Sequence, residues 1–262
     1  MNKLYIIKIG GNVLDDEKSL AIFLKDFASI QEPKILIHGG GKVATKIGDQ
    51  LGIQSHYVNG RRITDEPTRD LVTMVYGGLI NKKMVATLQG LQCNAIGVTG
   101  ADGNLIKAKR RPVKEIDYGY VGDINPDGVN SSFLYFLLKQ NVTPVFASLT
   151  YSEGEILNTN ADTIATAIAI SLSKHFDIRL IFCFEKKGVL RNVTNDESLI
   201  RLLNETGYRQ LLTEGALADG ILPKLENAFS AIHSGVKEVL IGAAADLIKN
   251  IKEETEGTLI RQ

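Results

Sequence analysis

Lys8 closes the apolar run Leu4–Ile7 and is followed by Ile9, Gly10 and Gly11. A charge at the carboxyl edge of a buried strand, next to two residues without side chains, suits an anion held by one cation and several N–H groups. The glycine pair lets another molecule approach the backbone closely, and ligands of open α/β sheets bind at that edge. The alternative is a lysine that leaves the strand for solvent. A second glycine run, His38-Gly39-Gly40-Gly41, joins a buried strand to a helix and forms a ready anion site at a positive helix end.

Two common nucleotide signatures are incomplete. Gly39 to Ala44 matches the G-x-G-x-x-A dinucleotide fingerprint, but the acidic residue expected about 20 positions on is missing. The chain reads Tyr57-Val58-Asn59-Gly60-Arg61-Arg62 there. The Walker pattern also fails, because Gly41-Lys42 is followed by Val43 and position 36 is leucine.

Other polar residues stand at places where elements begin. Arg62 follows a glycine turn and could fork onto a carboxylate, although with Arg61 adjacent one of the two is expected to be a solvated surface arginine. In Asn158-Thr159-Asn160-Ala161-Asp162, Asn160 suits a helix N-cap and Asp162 a first turn favoured by the macrodipole. One cap does not require Asn158 as well. In Asp219-Gly220-Ile221-Leu222-Pro223-Lys224, Pro223 suits the first helical position. Lys224 opposes the helix dipole, which a nearby anion would offset.

Two lysines at element ends, a glycine-rich anion site, an arginine suited to a carboxylate and no obvious general base fit phosphoryl transfer to a carboxylate. Such an acceptor, with a reference pKa near ~4.3, is already ionised at neutral pH and needs no base. The difficulty is repulsion between an anionic nucleophile and phosphates, which cations and helix termini offset.

The elements that must hold these residues alternate. Leu20, Phe23, Leu24 and Phe27 mark an amphipathic helix; Lys34–Ile37 is a strand; Val43, Ile47 and Leu51 mark the helix after the glycine run. A long helix is expected from about Thr68 to Leu91, a strand over Ala95–Val98, a helix over Asn130–Gln140 and a strand over Val142–Ala147. Pro144 in that strand suggests an edge or an irregular pairing. An alanine-rich helix follows from Ala161 to about Leu172, then strands at Arg179–Phe184 and Lys237–Ile241, with a helix over Pro223–His233 between them. The glycine- and charge-rich stretch Gly100–Gly128 reads as short antiparallel strands or loops. This alternation implies a mostly parallel sheet with helices on both faces. Two lobes, if present, are expected to meet near residues 170 to 178 within one continuous sheet.

Composition narrows the class. With 262 residues, 44% hydrophobic and 23% charged, the chain has the profile of a soluble globular protein. Thirty basic residues balance thirty acidic ones, so overall charge gives no case for nucleic acid or a membrane surface. Cys93 and Cys183 lack CxxC or CxxH spacing, which argues against a zinc site or a disulfide framework. No run reaches membrane-spanning length, and Met1 leads directly into a strand instead of a signal peptide. A reduced, cytoplasmic enzyme is expected.

Taken in order, these segments make the chain resemble the amino-acid kinase superfamily, and within it the branch acting on N-acylated glutamate in arginine biosynthesis. The resemblance rests on Lys8-Ile9-Gly10-Gly11, His38-Gly39-Gly40-Gly41, Asn59-Gly60-Arg61-Arg62-Ile63-Thr64 and Gly100-Ala101-Asp102-Gly103. It continues through Asn158-Thr159-Asn160-Ala161-Asp162, Gly220-Ile221-Leu222-Pro223-Lys224 and Gly257-Thr258. It implies a three-layer α/β/α sandwich around a mainly parallel open sheet, a single kinase domain over residues 1–262. The acyl-glutamate lobe would cover about 1–172 and the nucleotide lobe about 173–262.

The resemblance also implies roles. Lys8 and Lys224 would stabilise the transition state, and Asp162 would orient them. Gly40, Gly41, Arg62 and Asn158 would contact the acylated glutamate, with Asn160 close by. Gly10, Gly11, Glu185 and Gly188 would fall to ATP, which is expected with Mg²⁺. One departure stands out: members usually carry Ser/Thr-Asp-Val-x-Gly after the nucleotide-side strand, where this chain reads Phe184-Glu185-Lys186-Lys187-Gly188. The acyl group is acetyl by default, with succinyl as a second possibility. Rivals are a relative acting on free glutamate, aspartate or carbamate, and a weakly catalytic sensor of an acylated amino acid. Because only Met1 to Lys3 precede the first strand, a homodimer insensitive to arginine is expected.

Overall fold

The computed structural model describes residues 1–58, 60–192, 194–215, 217 and 220–261. Asn59 and Asp219, which open two of the motifs, lie outside the described residues. The strands are β1 (Lys3–Ile9), β2 (Lys34–His38), β3 (Tyr57–Val58), β4 (Arg61–Arg62), β5 (Ala95–Val98), β6 (Ile106–Arg110) and β7 (Gly122–Val129), then β8 (Thr143–Ala147), β9 (Leu149–Ser152), β10 (Glu155–Asn158), β11 (Asp177–Phe184), β12 (Leu202–Leu203), β13 (Glu238–Ala243) and β14 (Thr258–Ile260). The helices are α1 (Gly11–Asp15), α2 (Glu17–Ser29), α3 (Gly41–Gln50), α4 (Glu66–Val72) and α5 (Asn81–Gly90), then α6 (Ser131–Lys139), α7 (Ala161–Leu172), α8 (Glu205–Thr213), α9 (Leu222–His233) and α10 (Leu247–Asn250).

The chain forms two compact units, one of residues 1–35 and 165–262, the other of residues 36–164. The division differs from the expected lobes of about 1–172 and 173–262. Residues 1–35 join the C-terminal segment because β1 pairs in parallel with β11 along its whole length, from Lys3 opposite Asp177 to Ile9 opposite Cys183.

In the first unit the strand order is β12-β14-β13-β11-β1. Every pairing is parallel except that of β13 with β14. Leu4 through Ile9 are buried without alternation, so both faces of β1 are covered, as in parallel sheets layered by helices. α2 starts where the Asp16 side chain accepts the Lys18 N–H, and it buries Phe23, Leu24 and Phe27. α9 carries Pro223 in its first turn and buries Leu225, Ala228, Phe229 and Ile232.

In the second unit β2, β8 and β5 form a parallel set with β8 in the middle. The edge position suggested by Pro144 is therefore corrected. Pairing with β2 begins only at Val145, so the proline sits near the start of the strand, before that ladder. A second sheet of order β10-β9-β6-β7 contains the antiparallel pair β6–β7, in the stretch read as short strands or loops. The expected long helix over 68–91 is helical throughout but changes pitch. Between α4 and α5, Thr73–Ile80 form a π-helix, which contains the poor helix formers Gly77 and Gly78. Such wide turns are rare and cluster at functional sites.

Candidate active site

The first unit holds a cavity of about 190 Å³ lined by Lys8, Gly10, Gly11, Asn12, Val13, Cys183, Phe184, Glu185 and Lys224. Strand β1 brings Lys8 to its carboxyl end, where the residue is buried opposite Phe182. Gly10 has φ −88°, a conformation open to any residue, and a Cβ there would meet nothing closer than 3.6 Å. The backbone therefore does not demand glycine at position 10. Its missing side chain leaves room for whatever enters the cavity.

Lys224 reaches the same cavity from the first turn of α9, with Nζ 5.6 Å from the ring centre of Phe184 and 6.0 Å from that of Phe182. The aromatic that replaces the usual Ser/Thr thus lies under the second lysine, at cation–π distance. Glu185 lines the cavity and is exposed. Gly188 does not line it: it is buried against Thr258, whose Oγ1 and N would lie 2.5 and 2.9 Å from an added Cβ. Asn12 and Phe184 line the cavity without having been singled out as binding residues from the sequence. The Cys183 thiol is pushed up to about 12 by burial, with Lys8 opposing, so it stays protonated and supplies no nucleophile at neutral pH.

The second unit gathers the other predicted residues. Gly40 caps α3 with φ 156°, where L side chains are strained. A Cβ there would collide with Ile80 and come within 2.9 Å of Tyr76 Cδ1, both from the π-helix. Arg62 is buried. It donates from Nη2 to Gly41 O at 2.8 Å and to Thr45 Oγ1 at 2.9 Å, and from Nη1 to Ser55 Oγ. Its guanidinium lies 4.8 Å from the Tyr57 ring centre. Most of the five guanidinium donors thus fix Arg62 to the glycine loop and its surroundings. The fork is set in place by protein atoms. Arg61 is exposed, as expected for one of the pair.

Asn158 joins the same group, because its Nδ2 donates to Thr64 Oγ1 at 3.1 Å and its N–H bonds Tyr120 O. Thr64 is in turn held by Tyr118 O and by the Tyr120 N–H. The Asn160 Oδ1 accepts the N–H groups of Asp162 at 2.8 Å and Thr163 at 3.1 Å, which is the cap of α7 expected from its type. Asp162 is buried in the first turn of that helix. Thr64, Tyr76 and Asn81 act as supports that sequence pattern alone does not reveal, since each reads as an ordinary helix or strand residue.

Similarity to known proteins agrees with this geometry. Residues 3–243 match the amino acid kinase family. Acetylglutamate kinase from Cytophaga hutchinsonii is 52% identical over 98% of this chain and 98% of its own length. Acetylglutamate kinase from Parabacteroides distasonis is 51% identical over 94% of this chain and 96% of its own length. The solved structure of carbamate kinase from Giardia lamblia superposes with a TM-score of 0.74 at 16% identity, covering 100% of this chain and 99% of that one, a likeness of fold alone. The chain belongs to the amino acid kinase family and, within it, to the acetylglutamate kinases.

Proposed function

We propose that the protein transfers the γ-phosphoryl group of ATP to the side-chain carboxylate of N-acetyl-L-glutamate, forming an acyl phosphate for arginine biosynthesis. The observation that carries the reading is the meeting of Lys8, Lys224, Gly10 and Gly11 on one cavity. A carboxylate oxygen forms a bond to the γ-phosphorus, the bond to the β–γ bridging oxygen breaks, and ADP leaves. No proton moves, because the acceptor is already ionised. Two cations facing the transferred group lower the repulsion between anions and act most where charge spreads in the transition state. Asp162 takes the orienting role that the resemblance assigns.

In the second unit, the N–H groups at the start of α3 and the charge of Arg62 suit the anionic acceptor. Asn158 offers an amide for the acylated amine, and Asn160 stands nearby. Nucleotide contacts are assigned to Gly10, Gly11 and Glu185, with Gly188 supporting the loop from beneath. Among the described residues no three His, Cys, Asp or Glu side chains converge in a metal-ligating group. An Mg²⁺ bound with ATP would be carried mainly by phosphate oxygens and water, with Glu185 the carboxylate at the cavity. Bound there, the ion would neutralise phosphate charge.

We assign the protein to a homodimer through the second unit, where Met74, Leu79 and Phe136 expose apolar side chains; sedimentation tests this. Among the described residues no helix is long and apolar enough to cross a membrane. The deciding assay follows ADP release with ATP and, in parallel, N-acetylglutamate, N-succinylglutamate, glutamate, aspartate or carbamate. Turnover with N-acetylglutamate well above the unacylated acids is expected. Turnover with none would leave a binding protein, and a preference for the succinyl substrate would change the acyl assignment.

A further inference from the structure

The peptide between Gly39 and Gly40 joins two residues without side chains, so sterics give it little preference between its two orientations. Orientation nevertheless matters. In a planar trans peptide the Gly39 carbonyl and the Gly40 N–H point in opposite directions. One orientation offers a donor to an anion, and the flipped one offers a carbonyl oxygen that repels it.

We infer that His38 is the positioning residue that sets this peptide and so keeps the Gly40 N–H presented to the acyl-glutamate. His38 is fully buried at the end of β2, and its Nδ1 lies 2.8 Å from Gly39 O. Its Nε2 lies 3.1 Å from Asn81 Nδ2. That amide nitrogen also donates to Val145 O at 2.9 Å, while Asn81 Oδ1 accepts from Lys82 Nζ at 3.2 Å. Rotating the Asn81 amide by half a turn would set oxygen against the Val145 carbonyl and nitrogen against the lysine, so its orientation is fixed from both ends. Asn81 therefore donates to Nε2, which must accept, and the ring proton resides on Nδ1. Nδ1–H then holds the Gly39 carbonyl on the protein side.

Burial keeps the ring neutral, with its pKa lowered to about 4, so this tautomer persists across the physiological range. Asn81 begins α5, directly after the π-helix, and the same π-helix packs Tyr76 and Ile80 onto Gly40. One irregular helix thus secures the loop from two sides.

The inference rests on the proposed function for its catalytic consequence, yet the tautomer can be read without any substrate. ¹⁵N NMR of the resting protein is expected to show His38 neutral with its proton on Nδ1. A proton on Nε2, or an imidazolium at pH 7, would overturn the inference even if the kinase activity stands. Kinetics provide the second arm. In His38→Asn the side-chain amide nitrogen takes the place of Nδ1 and can still donate to Gly39 O, whereas the longer His38→Gln places its amide near the position of Nε2. His38→Asn is expected to keep kcat/KM for N-acetylglutamate within about threefold, while His38→Gln loses at least about tenfold with the KM for ATP unchanged. Equal losses in the two variants, or losses that simply follow their Tm values, would reduce His38 to a packing residue. Should His38→Gln fail to fold, Asn81→Leu serves instead: it frees the tautomer and is expected to lower kcat/KM for N-acetylglutamate alone. An unchanged value there also refutes the inference.

Discussion

Arg62 donates from Nη2 to the carbonyl oxygen of Gly41 at 2.8 Å. This bond joins the β3–β4 ribbon to the start of α3, so the arginine and the glycine loop move as one piece. Its Nη1 bond to Ser55 and its stacking on Tyr57 limit its rotamers further, which lowers the entropy lost when an anion binds. Lysine in its place would keep the charge but lose the planar fork and the stacking. Arg62→Lys is expected to raise the KM for N-acetylglutamate roughly tenfold, the scale of one or two lost charge-assisted bonds. The KM for ATP should stay within about twofold of the parent on the same scale of reasoning. Steady-state kinetics with each substrate varied in turn decide the matter; a rise confined to ATP would assign Arg62 to the wrong ligand.

Lys8 and Lys224 reach one cavity from different elements, the end of β1 and the first turn of α9. Lys8 is buried, and Lys224 stands at a helix start where the dipole favours an anion. Phosphate charge entering the cavity would meet both cations. Lys8→Ala and Lys224→Ala are each expected to lower kcat by about 10²–10³ with smaller changes in KM, as for loss of a preorganised charge. An undiminished kcat in either variant would remove that lysine from the chemistry.

The buried ring of His38 makes stability depend on pH in a defined direction. Its folded pKa, about 4, lies below the ordinary value of 6.5. As pH falls below 6.5 the unfolded chain takes up a proton that the folded chain refuses, so the native state loses stability until about pH 4. The slope approaches about 1.4 kcal/mol per pH unit and the total about 3 kcal/mol. Denaturant titrations between pH 7.5 and 5 are expected to show this decline in the parent and a shallower one in His38→Asn. Identical slopes would mean that His38 is not held neutral.

Much of the fold was legible because burial and turn chemistry leave marks on sequence. The unbroken apolar run Leu4–Ile7, the spacing of Phe23, Leu24 and Phe27, and the glycines ahead of α3 all lead to elements found where they were read. Convergence of Lys8 with Lys224 followed from two element ends that each held an unexplained charge. What remained hidden depends on contacts between segments distant in sequence. Pro144 reads as an edge or an irregular pairing, and it is the later start of the β2 ladder at Val145 that goes with its place in the middle strand. The pitch change at Thr73–Ile80 leaves the apolar pattern of a long helix almost intact, so periodicity cannot find it. Gly188 was read as part of the nucleotide loop, and its close packing against Thr258 becomes visible only once the position of β14 is known.

Phe184 stands where most relatives were expected to carry a small hydroxyl residue, and its ring centre is 5.6 Å from Lys224 Nζ. Two readings separate cleanly. If the ring only fills space, Phe184→Leu should be nearly silent, since the apolar volume is largely kept. If its π face holds the ammonium of Lys224 in place, the same change removes an interaction worth about 0.5–2 kcal/mol. That converts to a loss in kcat of roughly two- to thirtyfold if the lysine acts in the transition state. The geometry favours the second outcome, because Phe182 lies 6.0 Å from the same nitrogen and the two rings together confine it. Phe184→Leu is therefore expected to lower kcat several-fold on that scale. Phe184→Tyr, which keeps the face, should stay close to the parent. A double-mutant cycle with Lys224→Ala provides the check: coupling between the two positions is required, and strict additivity would return Phe184 to the role of filler.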